Sequence, residues 1–89
     1  MAQITFTGNV QRHLNCPRAS IDGSTVGQVL EGYFCRHPRA RGYVLDDQGA
    51  VRKHVVVILD GMPIRDRRRL SDPAAPHSEV YVLQALSGG

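Results

Sequence analysis

The sequence has no apolar run approaching the roughly 18 residues needed to cross a bilayer. It has only two cysteines, a single lysine, and no aromatic residue within its densest run of arginines. Each shortage excludes something. Without a long apolar run, no membrane span is expected. Cys16 and Cys35 are too few, and too uninformatively spaced, for a disulfide framework, which leaves them as free thiols of a reducing compartment. His13 with Cys16, and Cys35 with His37, do not have the paired-cysteine knuckle spacing that holds zinc, so no metal is expected. The run "RDRRRL", Arg65 to Leu70, lacks the interleaved aromatics on which bases would stack. It reads as a solvated loop, with docking to an acidic protein surface or contact with phosphates as the other readings. The opening "MAQITFTGNV" has no basic region followed by an apolar stretch, so no secretory leader is expected and a cytoplasmic location is the default.

What is present suffices for one small domain. A chain of 89 residues can bury one helix against one sheet. A net charge of +3 gives a mild preference for acidic partners. In "QITFT", Ile4 and Phe6 alternate with Thr5 and Thr7, the period of a strand that covers a core with one face. "VQRHLN", anchored by Val10 and Leu14, reads as its hairpin partner, and Pro17 with "ASIDGS" as a break. The period then changes. Val26, Val29, Leu30, Tyr33 and Phe34 fall along one helical stripe. Thr25 and Gln28 have the spacing of a capping box, and Pro38 marks the stop. Gly27 and Gly32 weaken this helix by roughly 1 kcal/mol each relative to alanine, which packing or a close approach to the sheet must offset.

Beyond an arginine-rich connector, "YVLDDQGAVRKHVVVILDG" supplies a strand, a turn at Asp47, Gln48 and Gly49, and the apolar strand Val55 to Leu59. Asp60 and Gly61 form a further turn. Pro63, Pro73 and Pro76 make the next stretch a short edge strand and an irregular crossing. Val80 to Ala85 is the last strand. One amphipathic helix on one face of a mixed sheet of four to five strands is an α+β layer pair. It is the β-grasp arrangement if the first and last strands pair in parallel at the centre.

Taken together, "ITFTGNVQRHL", "STVGQVLEGYFCRHP", "VVVILDGMPIR" and "SEVYVLQALSGG" resemble the MoaD/ThiS sulfur-carrier proteins, small ubiquitin-like domains, over nearly the whole chain. An acidic residue, a strand, a few residues and a Gly-Gly in that order is the specific part. The connector is longer than in the most compact members, and Gln84 and Ala85 stand where molybdopterin-pathway members carry prolines. The resemblance implies a single β-grasp domain over residues 1–89, with 86–89 as a flexible tail. It implies that Gly89, preceded by Gly88, is adenylated by a partner enzyme and converted to a thiocarboxylate. The chain itself is then not an enzyme and binds no cofactor; ATP and a sulfur donor are used by the partner. The partners implied are an adenylating enzyme of the MoeB/ThiF kind and a sulfur-accepting synthase, with no nucleic acid and no membrane, the free chain being a monomer. In "EVYVLQA" both parities are apolar, so pattern alone does not assign faces. Matching to the family places Val80 and Val82 inward, and Tyr81, Leu83, Thr5, Pro63 and Leu86 in a partner-facing patch.

Chemistry gives the glycines a reason. A carboxylate resists nucleophilic attack because its charge is spread over both oxygens, and adenylation converts it to a mixed anhydride with a good leaving group. Without Cβ atoms, Gly88 and Gly89 can thread a narrow channel and adopt backbone angles closed to other residues. Three other readings stay open. The chain could be a ubiquitin-like modifier conjugated through Gly89, with Lys53 the one site for self-linked polymers. It could be the small subunit of a molybdopterin synthase, or a basic binding module whose Gly-Gly is accidental.

Overall fold

The structure, a computed structural model, describes residues 1–6 and 18–84. The expected hairpin strand from Val10 to Leu14, the residues His13 and Cys16, and the tail residues Leu86, Gly88 and Gly89 lie outside the described residues.

The first strand, β1 (Ala2–Phe6), keeps its alternation: Ala2, Ile4 and Phe6 are buried, while Gln3 and Thr5 are half-buried on the other side. Its antiparallel partner is β2 (Ala19–Ile21), in the register Ala2↔Ile21 and Ile4↔Ala19. This corrects the reading of "ASIDGS" as a break. Three residues, one of them serine, carry too little pattern to announce a strand, yet Ile21 is buried.

Helix α1 (Val26–Arg36) buries the stripe expected of it, Val26, Val29, Leu30, Tyr33 and Phe34. Thr25 caps it, its hydroxyl accepting from the Gln28 N–H at 3.1 Å. The Gln28 side chain reaches one residue further back than a capping box would, accepting from the Ser24 N–H at 2.8 Å and the Ser24 hydroxyl at 3.0 Å. Gly32 has a steric reason: a Cβ there would stand 2.5 Å from Ile21 Cγ2, so the helix crosses β2 at a distance that only glycine permits.

A second helix, α2 (Pro38–Val44), replaces the strand expected at "YVL". His37 ends α1 with its N–H on the Tyr33 carbonyl at 3.0 Å and its ring stacked on Tyr33. Pro38 then opens α2, where its missing N–H costs nothing. Ala40 and Val44, one turn apart, are the residues that α2 buries. Leu45 and Val51 meet in an isolated antiparallel bridge around the Asp46 turn.

Strand β3 (Val55–Leu59) is joined to β4 (Met62–Pro63) by Asp60 and Gly61, with φ of 50° and 87°. A two-residue loop with both angles positive matches the twist of the flanking strands. The Asp60 carboxylate also accepts from the Ser78 hydroxyl at 2.8 Å and the Glu79 N–H at 2.9 Å, fixing where β5 (Glu79–Gln84) begins. The sheet order is β2-β1-β5-β3-β4. Strands β1 and β5 are parallel, and β5 pairs antiparallel with β3. The first and last strands therefore meet side by side, with β5 at the centre.

Between β4 and β5 the chain crosses the molecule without regular structure, organised by two carboxylates. Asp72 accepts from the N–H groups of Arg65 and Asp66 at 2.9 and 2.8 Å. Asp66 accepts from the N–H groups of Arg68 and Arg69 and from the Ser71 hydroxyl. Those donors, the Ser71 hydroxyl first, lower its pKa from 3.8 to about 2 by favouring the charged form. Leu70, at φ 58°, buries its side chain and accepts the Gly27 N–H at 2.9 Å.

Candidate functional site

A period of two sends successive side chains of a strand to opposite faces, and residues paired across a sheet share one face. In β5 the even positions Val80 and Val82 are fully buried beneath the helices, beside Val55 and Val57 of β3. Tyr81 and Leu83 consequently point to the other side, each half-buried.

The register across four strands is continuous on that side. Thr5 pairs with Tyr81, Tyr81 with Ile58, and Ile58 with Pro63. Leu83 pairs with Val56 in the next row. The structure thus brings Thr5, Tyr81, Leu83 and Pro63 onto one surface. Leu86 lies outside the described residues.

Val56 and Ile58 belong to this surface and were not among the residues expected there. Their signal was present in "VVVIL", where both parities are apolar, as required of a strand with one face in the core and the other against something else. Towards the opposite end of the sheet the same face turns polar. Gln3 pairs with Glu79, donates to the Ser20 hydroxyl at 2.6 Å, and Glu79 meets Arg18 at 3.6 Å. The apolar half therefore lies at the end where β5 finishes.

That end is held in place. Gln84, the last described residue, takes the inward parity and accepts a hydrogen bond from the Tyr43 hydroxyl of α2 at 3.0 Å. The His54 ring meets Tyr43 edge-on with centroids 6.2 Å apart. Opposite Gln84, the Val55 carbonyl accepts from the Arg67 guanidinium at 2.7 Å, and the Arg52 carbonyl accepts from it at the same distance. Arg67 is thus not part of a solvated run: it folds back and ties the crossing segment to the start of β3. No feature of the sequence announces the Tyr43 or Arg67 contacts, because both join segments remote along the chain.

The hydroxyls on the apolar face are those of Thr5 and Tyr81, and among the described residues no three His, Cys, Asp or Glu side chains come together as metal ligands.

A five-stranded mixed sheet with parallel first and last strands and helices on one face defines a ubiquitin-like β-grasp domain. No family model and no curated protein matches the sequence. Solved structures do. The crystal structure of SAMP1 from Haloferax volcanii aligns with a TM-score of 0.78 at 23% identity, over 99% of this chain and 98% of that one. A chain of the BexX/CysO complex from Amycolatopsis orientalis aligns at 0.83 and 14% identity, over the whole of both chains. CysO from Mycobacterium tuberculosis aligns at 0.81 and 17% identity, over 97% of this chain and all of that one. These neighbours are ubiquitin-like proteins of the MoaD/ThiS type, and at such identities the likeness establishes the shared fold.

Proposed function

We propose that this protein is a sulfur carrier. An adenylating enzyme of the MoeB/ThiF kind activates the Gly89 carboxylate with ATP, forming the acyl adenylate and releasing pyrophosphate. Sulfide then attacks the carbonyl carbon, the bond to AMP breaks with loss of AMP and a proton, and a thiocarboxylate remains that donates sulfur to an acceptor synthase. The carrier contributes geometry only, presenting its end in an oriented way to a site in another protein. The cytoplasm supplies the ATP and thiols that this chemistry uses.

The observation that carries the reading is the placement of one strand. The Gly88-Gly89 end follows β5, which sits between β1 and β3. The outward side chains of β5, Tyr81 and Leu83, lie in register with Thr5, Ile58, Val56 and Pro63 at the end of the sheet the tail leaves from. A partner covering these apolar residues is positioned to receive the tail. That a structural neighbour was solved as a complex of two proteins agrees with a partnered role.

A second reading, a modifier joined through Gly89 to lysines of other proteins, is favoured by the neighbours whose names are small archaeal modifier protein. Both readings share the adenylation step. That step is tested by ATP–pyrophosphate exchange with the adenylating enzyme of the same genome. Wild-type protein is expected to support exchange. Gly89→Ala is expected to abolish it, with an unchanged melting curve. Exchange undiminished in Gly89→Ala would refute the assignment of that residue.

A further inference from the structure

Loops 51–54 and 65–69 are remote in sequence and joined in space. The Val51 N–H donates to the Arg67 carbonyl at 2.8 Å, and the Arg67 guanidinium donates to the carbonyls of Arg52 and Val55. The two loops hold Arg52, Lys53, Arg65, Arg67, Arg68 and Arg69, six of the eleven lysines and arginines of the chain, and the splice sets Arg52 and Arg67 at one end of the sheet. It is the end at which Val55 pairs with Gln84, where β5 finishes.

Three carboxylates, Asp46, Asp66 and Asp72, lie among these six cations and offset them only in part. The two ion pairs among the described residues, Arg18 with Glu79 and Arg41 with Glu31, involve none of the six. Asp66, in their midst, turns its oxygens to backbone N–H groups and to Ser71. Asp46 beside Arg68 is likewise occupied by the N–H groups of Gln48 and Ala50. Arg67 and Arg52 direct guanidinium N–H groups to backbone carbonyls. Lys53, Arg65, Arg68 and Arg69 are exposed.

We infer that these two loops form an electrostatic dock for an acidic protein surface bordering the entrance that receives the chain end, on the same enzyme that adenylates it. The inference rests on the sulfur-carrier reading. Charge complementarity selects the partner: positive groups around the root of a tail match carboxylates around the mouth of the site it enters, steering encounter and fixing register. A protein is favoured over a nucleic acid for two reasons. Neither loop contains Phe, Tyr or Trp, and the one ring in them, His54, is packed edge-on against Tyr43. The two loops also lead into and out of the strands that carry the outward residues Val56, Ile58 and Pro63, and an apolar centre with a charged border suits a protein interface.

The test replaces Arg65, Arg68 and Arg69 together by glutamate, leaving Arg67 in place, with Lys53→Glu as a single exposed change on the other loop. Pyrophosphate release by the adenylating enzyme of the same genome is followed as a function of carrier concentration. For the triple variant KM should rise about 10- to 100-fold, with kcat retained. Lys53→Glu should raise KM a few-fold, and the triple replacement by lysine should restore wild-type behaviour. The wild-type KM should climb between about 50 and about 300 mM salt, and that of the triple glutamate variant should not. Unchanged KM in both glutamate variants, with wild type active, overturns the dock and leaves the carrier reading standing. An inactive wild type overturns both. Tighter binding of wild type to a short single-stranded RNA than to the enzyme overturns the choice of a protein partner.

Discussion

Val82 and Leu83 are adjacent in sequence and opposite in consequence. Val82 is fully buried between β1 and β3, while Leu83 faces outward and is half-buried. Truncating Val82 to alanine removes two methyl groups, about 1.6 kcal/mol of transfer free energy. The cavity left behind adds about 1 kcal/mol where the surroundings relax only in part. A loss of about 2–3 kcal/mol is a large fraction of the roughly 4–13 kcal/mol expected for 89 residues. It should lower the melting temperature by about 10–20 °C. Leu83→Ala removes more atoms but buries fewer of them, and should cost less than about 1 kcal/mol. Its effect should fall on the partner instead, raising KM for adenylation about tenfold or more, as loss of an interface anchor does. Urea unfolding of both variants, alongside adenylation kinetics, reads the two effects separately. Equal destabilisation by the two changes would refute the assignment of faces. An unchanged KM in Leu83→Ala would refute the docking role of the outward face.

How much of this was legible in the sequence depends on how each residue signals its environment. The stripe of α1 was readable because five apolar residues at helical spacing have no other economical arrangement, and Thr25 announced where it starts. The turn at Asp60 and Gly61 was readable because few residue pairs adopt two positive φ angles. The short elements were not. In "PRARGYV" two small apolar residues one turn apart give α2 almost no periodic signal, and Tyr43-Val44-Leu45 looks like a strand. In β3 every position is apolar, and in β5 every position from Val80 to Leu83, so alternation is invisible and the outward pair Val56 and Ile58 emerges only from the register. Arg67 reads as charge and acts as a hydrogen-bond donor to two distant carbonyls, which no local pattern encodes.

Gly32→Ala should destabilise the fold by about 1–2 kcal/mol in thermal or urea melts, because the clash with the stiff side chain of Ile21 outweighs the roughly 1 kcal/mol gained in helix propensity; a stabilised variant would contradict the close crossing of α1 over β2. Asp66 is held ionised in the folded chain, so its stabilising contribution is complete above the unfolded pKa of about 3.8 and is lost as the pH falls through about 2. Urea midpoints should therefore drop over that interval in wild type and drop less steeply in Asp66→Asn, whereas parallel pH profiles would show that the carboxylate does not organise its loop.

The central claim is that the Gly89 carboxylate is charged with sulfur by a second protein. It is tested most directly by the intact mass of the protein after incubation with ATP, the adenylating enzyme of the same genome and a sulfide source. The account predicts a gain equal to the exchange of one oxygen for sulfur, located in the C-terminal peptide and missing in Gly89→Ala. An unchanged mass with an enzyme that is demonstrably active, or a gain that persists in Gly89→Ala, would contradict it.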